Sequence, residues 1–129
     1  MAFKKRILAA TAAIVMLASG TGIAYAANTY VSGDLNTTGS LVQYDYTREH
    51  TFNGPITLSV DNMPSGHLRL GLRNMNKSGG PQFTETLQWN ARGTKSWDDI
   101  LKGTRFAFQG RMKECGWFCD NTWGGSLTY

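Results

Sequence analysis

The chain has 129 residues, 41% of them hydrophobic and 17% charged, and a formal net charge of +4, a length that fits one domain and does not fit several. Three of its 13 basic residues, Lys4, Lys5 and Arg6, fall at the extreme N-terminus, and without them ten bases face nine acids. The remaining charge of +1 is too small and too scattered for a general nucleic-acid or anionic-membrane binder, which needs clustered positive charge.

Those three bases belong to a leader. Met1 to Arg6 forms a basic n-region, residues 7–18 are apolar, and Ala24-Tyr25-Ala26 has the A-x-A form of a signal-peptidase site, so cleavage is expected after Ala26. Ser19, Gly20, Thr21 and Gly22 interrupt the apolar run before it reaches a comfortable anchor length. Removing 26 of the 129 residues leaves 103, and these are expected as a secreted, extracellular domain behind a bacterial-looking leader, with no membrane insertion of the mature chain.

Residues 27–40 are polar, without helical period, and are expected as a flexible N-terminal tail whose Tyr30, Val31 and Leu35 are available to add a strand to a partner. The domain proper is expected over 41–129. A first strand is predicted over 41–52, where Val42, Tyr44 and Tyr46 alternate with Gln43, Asp45 and Thr47. A second covers 56–60, with Ile56, Leu58 and Val60 inward, and ends in the turn formers of 61–66. A third follows with Leu68, Leu70 and Leu72 inward and His67, Arg69, Gly71 and Arg73 outward. A fourth spans about 82–90, where Phe83, Leu87 and Trp89 share a parity that Glu85 spoils. Ser96, Asp98, Asp99 and the Lys102-Gly103 ending predict one short helical turn, whose Trp97, Ile100 and Leu101 would lid the core.

Residues 105–114 and 120–129 then read as a terminal β-hairpin around Cys115-Gly116-Trp117-Phe118-Cys119. The only two cysteines, in an exported chain, are expected to pair. Facing the apolar sets would pair Met112 with Trp123, Phe108 with Leu127 and Phe106 with Tyr129. Pairing Cys115 with Cys119 requires a register one residue different, so a bulge near Lys113 and Glu114 is expected to absorb the difference. The fold class is therefore all-β, a small antiparallel β-sandwich of about six to seven strands with one short helical turn, following a cleaved signal peptide.

Catalytic chemistry finds little support. His50 and His67 are the only histidines and neither has a metal-ligand neighbour in sequence, so both are read as solvated strand residues. Asp98 and Asp99 diverge on adjacent positions and suit a helix cap better than an acid–base pair. Arg69 with Arg73, and Arg105 with Arg111, share outward faces and are read as solvated strand positions. No cofactor and no metal are expected, and the protein is expected to be non-enzymatic.

Trp117 and Phe118 are the stronger signal, because three residues inside a cystine loop cannot hide two aromatic rings against their own backbone. The leading expectation is a secreted interaction domain, a subunit or adaptor of an extracellular protein assembly, binding through this loop and the tail. A carbohydrate-binding module presenting the same rings to a glycan, and a small secreted toxin or enzyme inhibitor, are the alternatives.

Overall fold

The computed structural model describes residues 26–129. Apart from Ala26, the predicted leader lies outside the described residues. The chain forms β1 (Asn28–Asp34), β2 (Val42–Gln43), β3 (Arg48–Glu49), β4 (Ile56–Asn62), β5 (Leu68–Asn74), β6 (Leu87–Trp89), β7 (Gly93–Trp97), β8 (Arg105–Met112) and β9 (Thr122–Thr128). One antiparallel sheet runs β1-β9-β4-β7; the other runs β2-β8-β5-β6, with β3 also beside β8. This is the predicted all-β sandwich. Period-two patterning explains it directly: Ile56, Leu58 and Val60 on β4, and Leu68, Leu70 and Leu72 on β5, are all buried from opposite sheets.

The two C-terminal strands do not form a hairpin. β8 lies in one sheet against β5, while β9 lies in the other between β1 and β4. Their apolar sets meet across the core instead of within a sheet, with ring centroids 5.8 Å apart for Phe106 and Tyr129 and 5.4 Å for Phe108 and Trp123. The conflict of registers thereby disappears, because strands that never pair need no bulge between them. The irregularity lies elsewhere, where β4 slips against β9 between Val60 and Asn62. Gly125 sits at this slip, and a Cβ there would lie 2.3 Å from the Ser59 carbonyl oxygen.

The expected flexible tail is a strand. All seven residues of β1 pair with β9, from Asn28 opposite Thr128 to Asp34 opposite Thr122, and Val31 and Leu35 are buried in the core. The single strand expected over 41–52 is broken into β2 and β3, between which Tyr44, its N–H donating to the Phe108 carbonyl of β8, reaches across to β1 and β9 of the other sheet. Its hydroxyl donates to the Asp34 carbonyl at 2.7 Å and accepts from Trp123 Nε1 at 3.0 Å. Burial is the largest cause that raises the Tyr44 pKa, and it outweighs the hydrogen bond from Trp123, which lowers it.

The expected helical turn is also absent. Residues 93–97 are β7, paired with β4, and the chain then turns through Asp99 at φ 60°. Side-chain pairing decides this: Ser96 Oγ lies 2.8 Å from Thr57 Oγ1 across the ladder, so Ser96 is not a cap. Trp97 and Ile100 do cover the core, whereas Leu101 is exposed. The predicted strand over 82–90 shrinks to β6 plus one bridge from Gln82 to Arg73, which leaves Glu85 outside any ladder and Phe83 on the surface.

Two further residues depart from expectation. His50 is fully buried, its Nδ1 donating to the Leu101 carbonyl at 3.3 Å and its ring edge-on to Phe52, while Nε2 has no partner. Arg73 keeps outward parity but is covered by the loops beside it, donating to the carbonyls of Gly80, Gly79 and Tyr44 and pairing with Asp45 at 3.1 Å. A guanidinium at such a place supplies donors to three loop carbonyls at once and ties the loops of Tyr44 and Gly79-Gly80 to β5.

Candidate functional site

Residues 113–121 carry the chain from the end of β8 in one sheet to the start of β9 in the other. The base of this crossing is tied down on both sides. Cys115 N donates to the Thr37 carbonyl at 2.8 Å, Ser65 N to the Asp120 carbonyl at 2.8 Å, and Asp120 N to Ser65 Oγ at 3.1 Å. Leu35 N donates to the Asn121 carbonyl at 2.7 Å, and Asn121 Nδ2 returns a bond to the Leu35 carbonyl at 2.8 Å. The Cys115–Cys119 disulfide is present, with its two half-buried sulfurs against the core cluster. Inside it, Cys119 N donates to the Gly116 carbonyl at 3.0 Å and shapes a tight turn.

Beyond that anchored base the two aromatic side chains project. Trp117 is 82% and Phe118 84% exposed, and the rings stack on each other with centroids 4.1 Å apart and planes 28° from parallel. Neither folds back over the disulfide. Each ring is covered on one face by its neighbour and leaves the other face and its edges to solvent, so the pair acts as one apolar wedge.

The structure separates the remaining predicted site residues from this tip. Val31 and Leu35 are core side chains and are not available to a partner. Tyr30 is exposed, but its hydroxyl is engaged by Asp61 at 2.8 Å, and this bond raises its pKa, with burial second. The strand-adding tail is corrected accordingly: its backbone is already paired with β9 along its whole length.

A second surface escaped the sequence reading. On the outer face of the β2-β8-β5-β6 sheet, a groove of about 440 Å³ is lined by Arg69, Arg111, Gln82, Gln88, Gln109 and Leu41 among others. Arg69 and Arg111 are direct neighbours on β5 and β8. Side-chain amides form a connected floor: Gln43 donates to Gln109 at 3.2 Å, Gln109 donates to Gln82, and Gln82 donates to the Thr84 carbonyl and to Thr86 Oγ1 at 2.7 and 2.9 Å. Outward parity marked the arginines, but only tertiary structure brings Gln82 over Gly71, where a Cβ would meet its carboxamide at 2.6 Å. Just before β5, the His67 pKa is lowered by burial first, then by the charges of Arg69 and Lys113.

Compared with protein-family models, curated proteins and solved structures, the chain matches none. Site geometry therefore has to carry the functional reading. Among the described residues no three His, Cys, Asp or Glu side chains lie close enough to hold a metal ion, and no helix is long and apolar enough to cross a membrane.

Proposed function

We propose that the mature chain is a secreted, non-enzymatic binding domain that docks onto a protein of an extracellular assembly through the Trp117–Phe118 wedge. The observation that supports this reading is the pair itself: two stacked rings, each more than four-fifths exposed, on a loop anchored at its base by a disulfide and by hydrogen bonds to two neighbouring loops. Export rests on the leader pattern, and the disulfide fits an oxidising compartment. An ordered loop loses little entropy on binding, so more of the burial free energy reaches the affinity.

Magnitudes set the scale of the contact. Covering most of two such rings removes on the order of 300 Å² of apolar surface, a gross gain of about 8 kcal/mol. Association costs at least about 4 kcal/mol, so the wedge alone supports only millimolar binding. It works as the central anchor of a larger interface, in the manner of a hot spot. A sugar-stacking role is less well served, because the mutual stacking leaves each ring only one free face.

The test is affinity capture from culture medium of the source cells with the tagged mature chain, followed by reconstitution with each purified captured protein. The expected result is a partner bound by the wild type and bound at least tenfold more weakly by Trp117→Ala and by Phe118→Ala. A partner retained equally by both variants excludes the wedge as the docking element.

A further inference from the structure

We infer that the groove on the outer face of the β2-β8-β5-β6 sheet is a second binding site, and that it takes an acidic oligosaccharide, with Arg69 and Arg111 holding its oxyanion and the glutamine floor reading its hydroxyls. The inference is independent of the aromatic wedge.

Charge is the first ground. Ten bases and nine acids leave residues 26–129 nearly neutral, yet two guanidinium groups sit side by side here with no acid between them. Among the described residues the one ion pair is Arg73–Asp45, so neither Arg69 nor Arg111 has a carboxylate partner. Gln88 Oε1 accepts from Arg69 Nε at 2.8 Å and is itself held by Asn90, whose Oδ1 accepts from Gln88 Nε2 at 2.7 Å. That clamp fixes the guanidinium and leaves its two terminal nitrogens for a bidentate oxyanion contact.

The rest of the groove selects a hydroxylated ligand over an acidic peptide. β5 is paired with β8 on one side and, on the other, with β6 as far as Leu70, after which Leu72 N donates to Thr84 Oγ1 and the Leu72 carbonyl accepts from Phe83 N, so β5 presents no open edge to a peptide backbone. What the floor offers is carboxamides: Gln88 and Gln109 each use one N–H and one acceptor position within the floor and keep one of each, while Gln82, both of whose N–H groups are engaged, keeps acceptor capacity, a mixed set that suits sugar hydroxyls. Leu41 alone among the groove's side chains is apolar. Gly71 provides the depth, since any side chain there would displace Gln82. A volume of about 440 Å³ lies within the range of small-ligand clefts, roughly 300–1,000 Å³. A uronate carboxylate and a sugar sulfate share the required oxyanion.

The experiment is isothermal titration of the mature chain with trigalacturonate and with a sulfated dextran oligosaccharide, beside neutral maltotriose and tri-glutamate. Saturable binding of either acidic sugar is expected, with maltotriose and tri-glutamate at least about tenfold weaker. Arg69→Gln and Arg111→Gln should each weaken it about tenfold, the loss of one charged hydrogen-bonding partner. Both side chains are exposed, so the variants should keep the wild-type melting temperature. Gly71→Ala, which alters no charge and pushes only on the end of Gln82, should also weaken binding, and Trp117→Ala should leave it unchanged. Failure of both acidic sugars to bind, equal binding of tri-glutamate, or binding that survives the double arginine variant overturns the inference. Binding lost with the arginines but indifferent to Gly71→Ala is charge capture without a groove and overturns it as well. Dependence on Trp117 would instead place the sugar on the wedge.

Discussion

Replacing Leu35 by alanine separates a structural N-terminal strand from a tail. Leu35 follows β1, is 4% exposed, and packs toward β8, its Cδ2 lying 3.3 Å from where a Cβ on Gly110 would stand. The substitution removes three carbons, worth about 2.4 kcal/mol of transfer free energy at about 0.8 kcal/mol each. The cavity left behind adds to this, so about 3 kcal/mol is expected, inside the range of about 2–5 kcal/mol for buried leucines. For a domain of this size that lowers the melting temperature by about 15 °C. Urea unfolding followed by tryptophan fluorescence reads the change, because Trp123 lies in the same core. Tyr30→Ala serves as the contrast: a 56% exposed ring with one exposed hydrogen bond should cost under about 1 kcal/mol. A Leu35→Ala protein within about 0.5 kcal/mol of wild type would refute β1 as part of the core.

Arg73→Met leaves the carbonyls of Tyr44 and Gly80 without their donor and should cost about 2 kcal/mol by chemical denaturation, while Asp45→Asn, at a 91% exposed carboxylate, should cost under about 1 kcal/mol. The Cys115→Ser, Cys119→Ser double variant should remain folded with a loss of about 2 kcal/mol at most, and amide exchange at Cys119 should speed up as its bond to Gly116 loosens. The imidazole of His67 should titrate by NMR below 6.5, and Lys113→Gln should move it only part of the way back, because burial is the larger cause. Its folded pKa being depressed, the unfolded chain takes up the proton first. This residue's contribution to stability therefore falls as pH drops through 6.5 and stops falling below the folded pKa.

Much of the core was legible from alternation alone. The inward sets of β4 and β5, together with Phe106, Phe108, Met112, Trp123 and Leu127, are buried as their parity predicts, and Trp89 is core as expected. Parity says which side of a strand is buried and not which strand lies beside it, so Phe106 and Tyr129 meet across the core between the two sheets and not as the in-sheet pair that the expected hairpin required. Strand β1 was missed because its burial rests on Val31 and Leu35, four residues apart among threonine, serine, glycine and asparagine, too sparse for a period of two. The helical turn failed because Ser96, Asp98, Asp99 and Gly103 are equally good turn formers, and pairing with β4 outweighed local propensity. Arg73 and His50 carry no local mark of burial; the loops that cover them come from elsewhere in the chain.

The aromatic tip was readable because covalent geometry, not packing, forces it outward. Closing three residues between two cysteines leaves no room beneath them, and the anchored base orients what remains. The groove was not readable, since its floor joins glutamines from β2, β8 and the segment before β6, residues as far apart as Gln43 and Gln109.

Docking through the wedge is tested most directly by placing a photoreactive benzophenone amino acid at position 117 of the purified domain and irradiating it in culture medium of the source cells. A single discrete adduct is predicted from position 117 and none from position 95, an exposed site on β7 at the far edge of the other sheet. No adduct from 117, or the same adduct from both positions, would contradict a partner seated on the Trp117–Phe118 wedge.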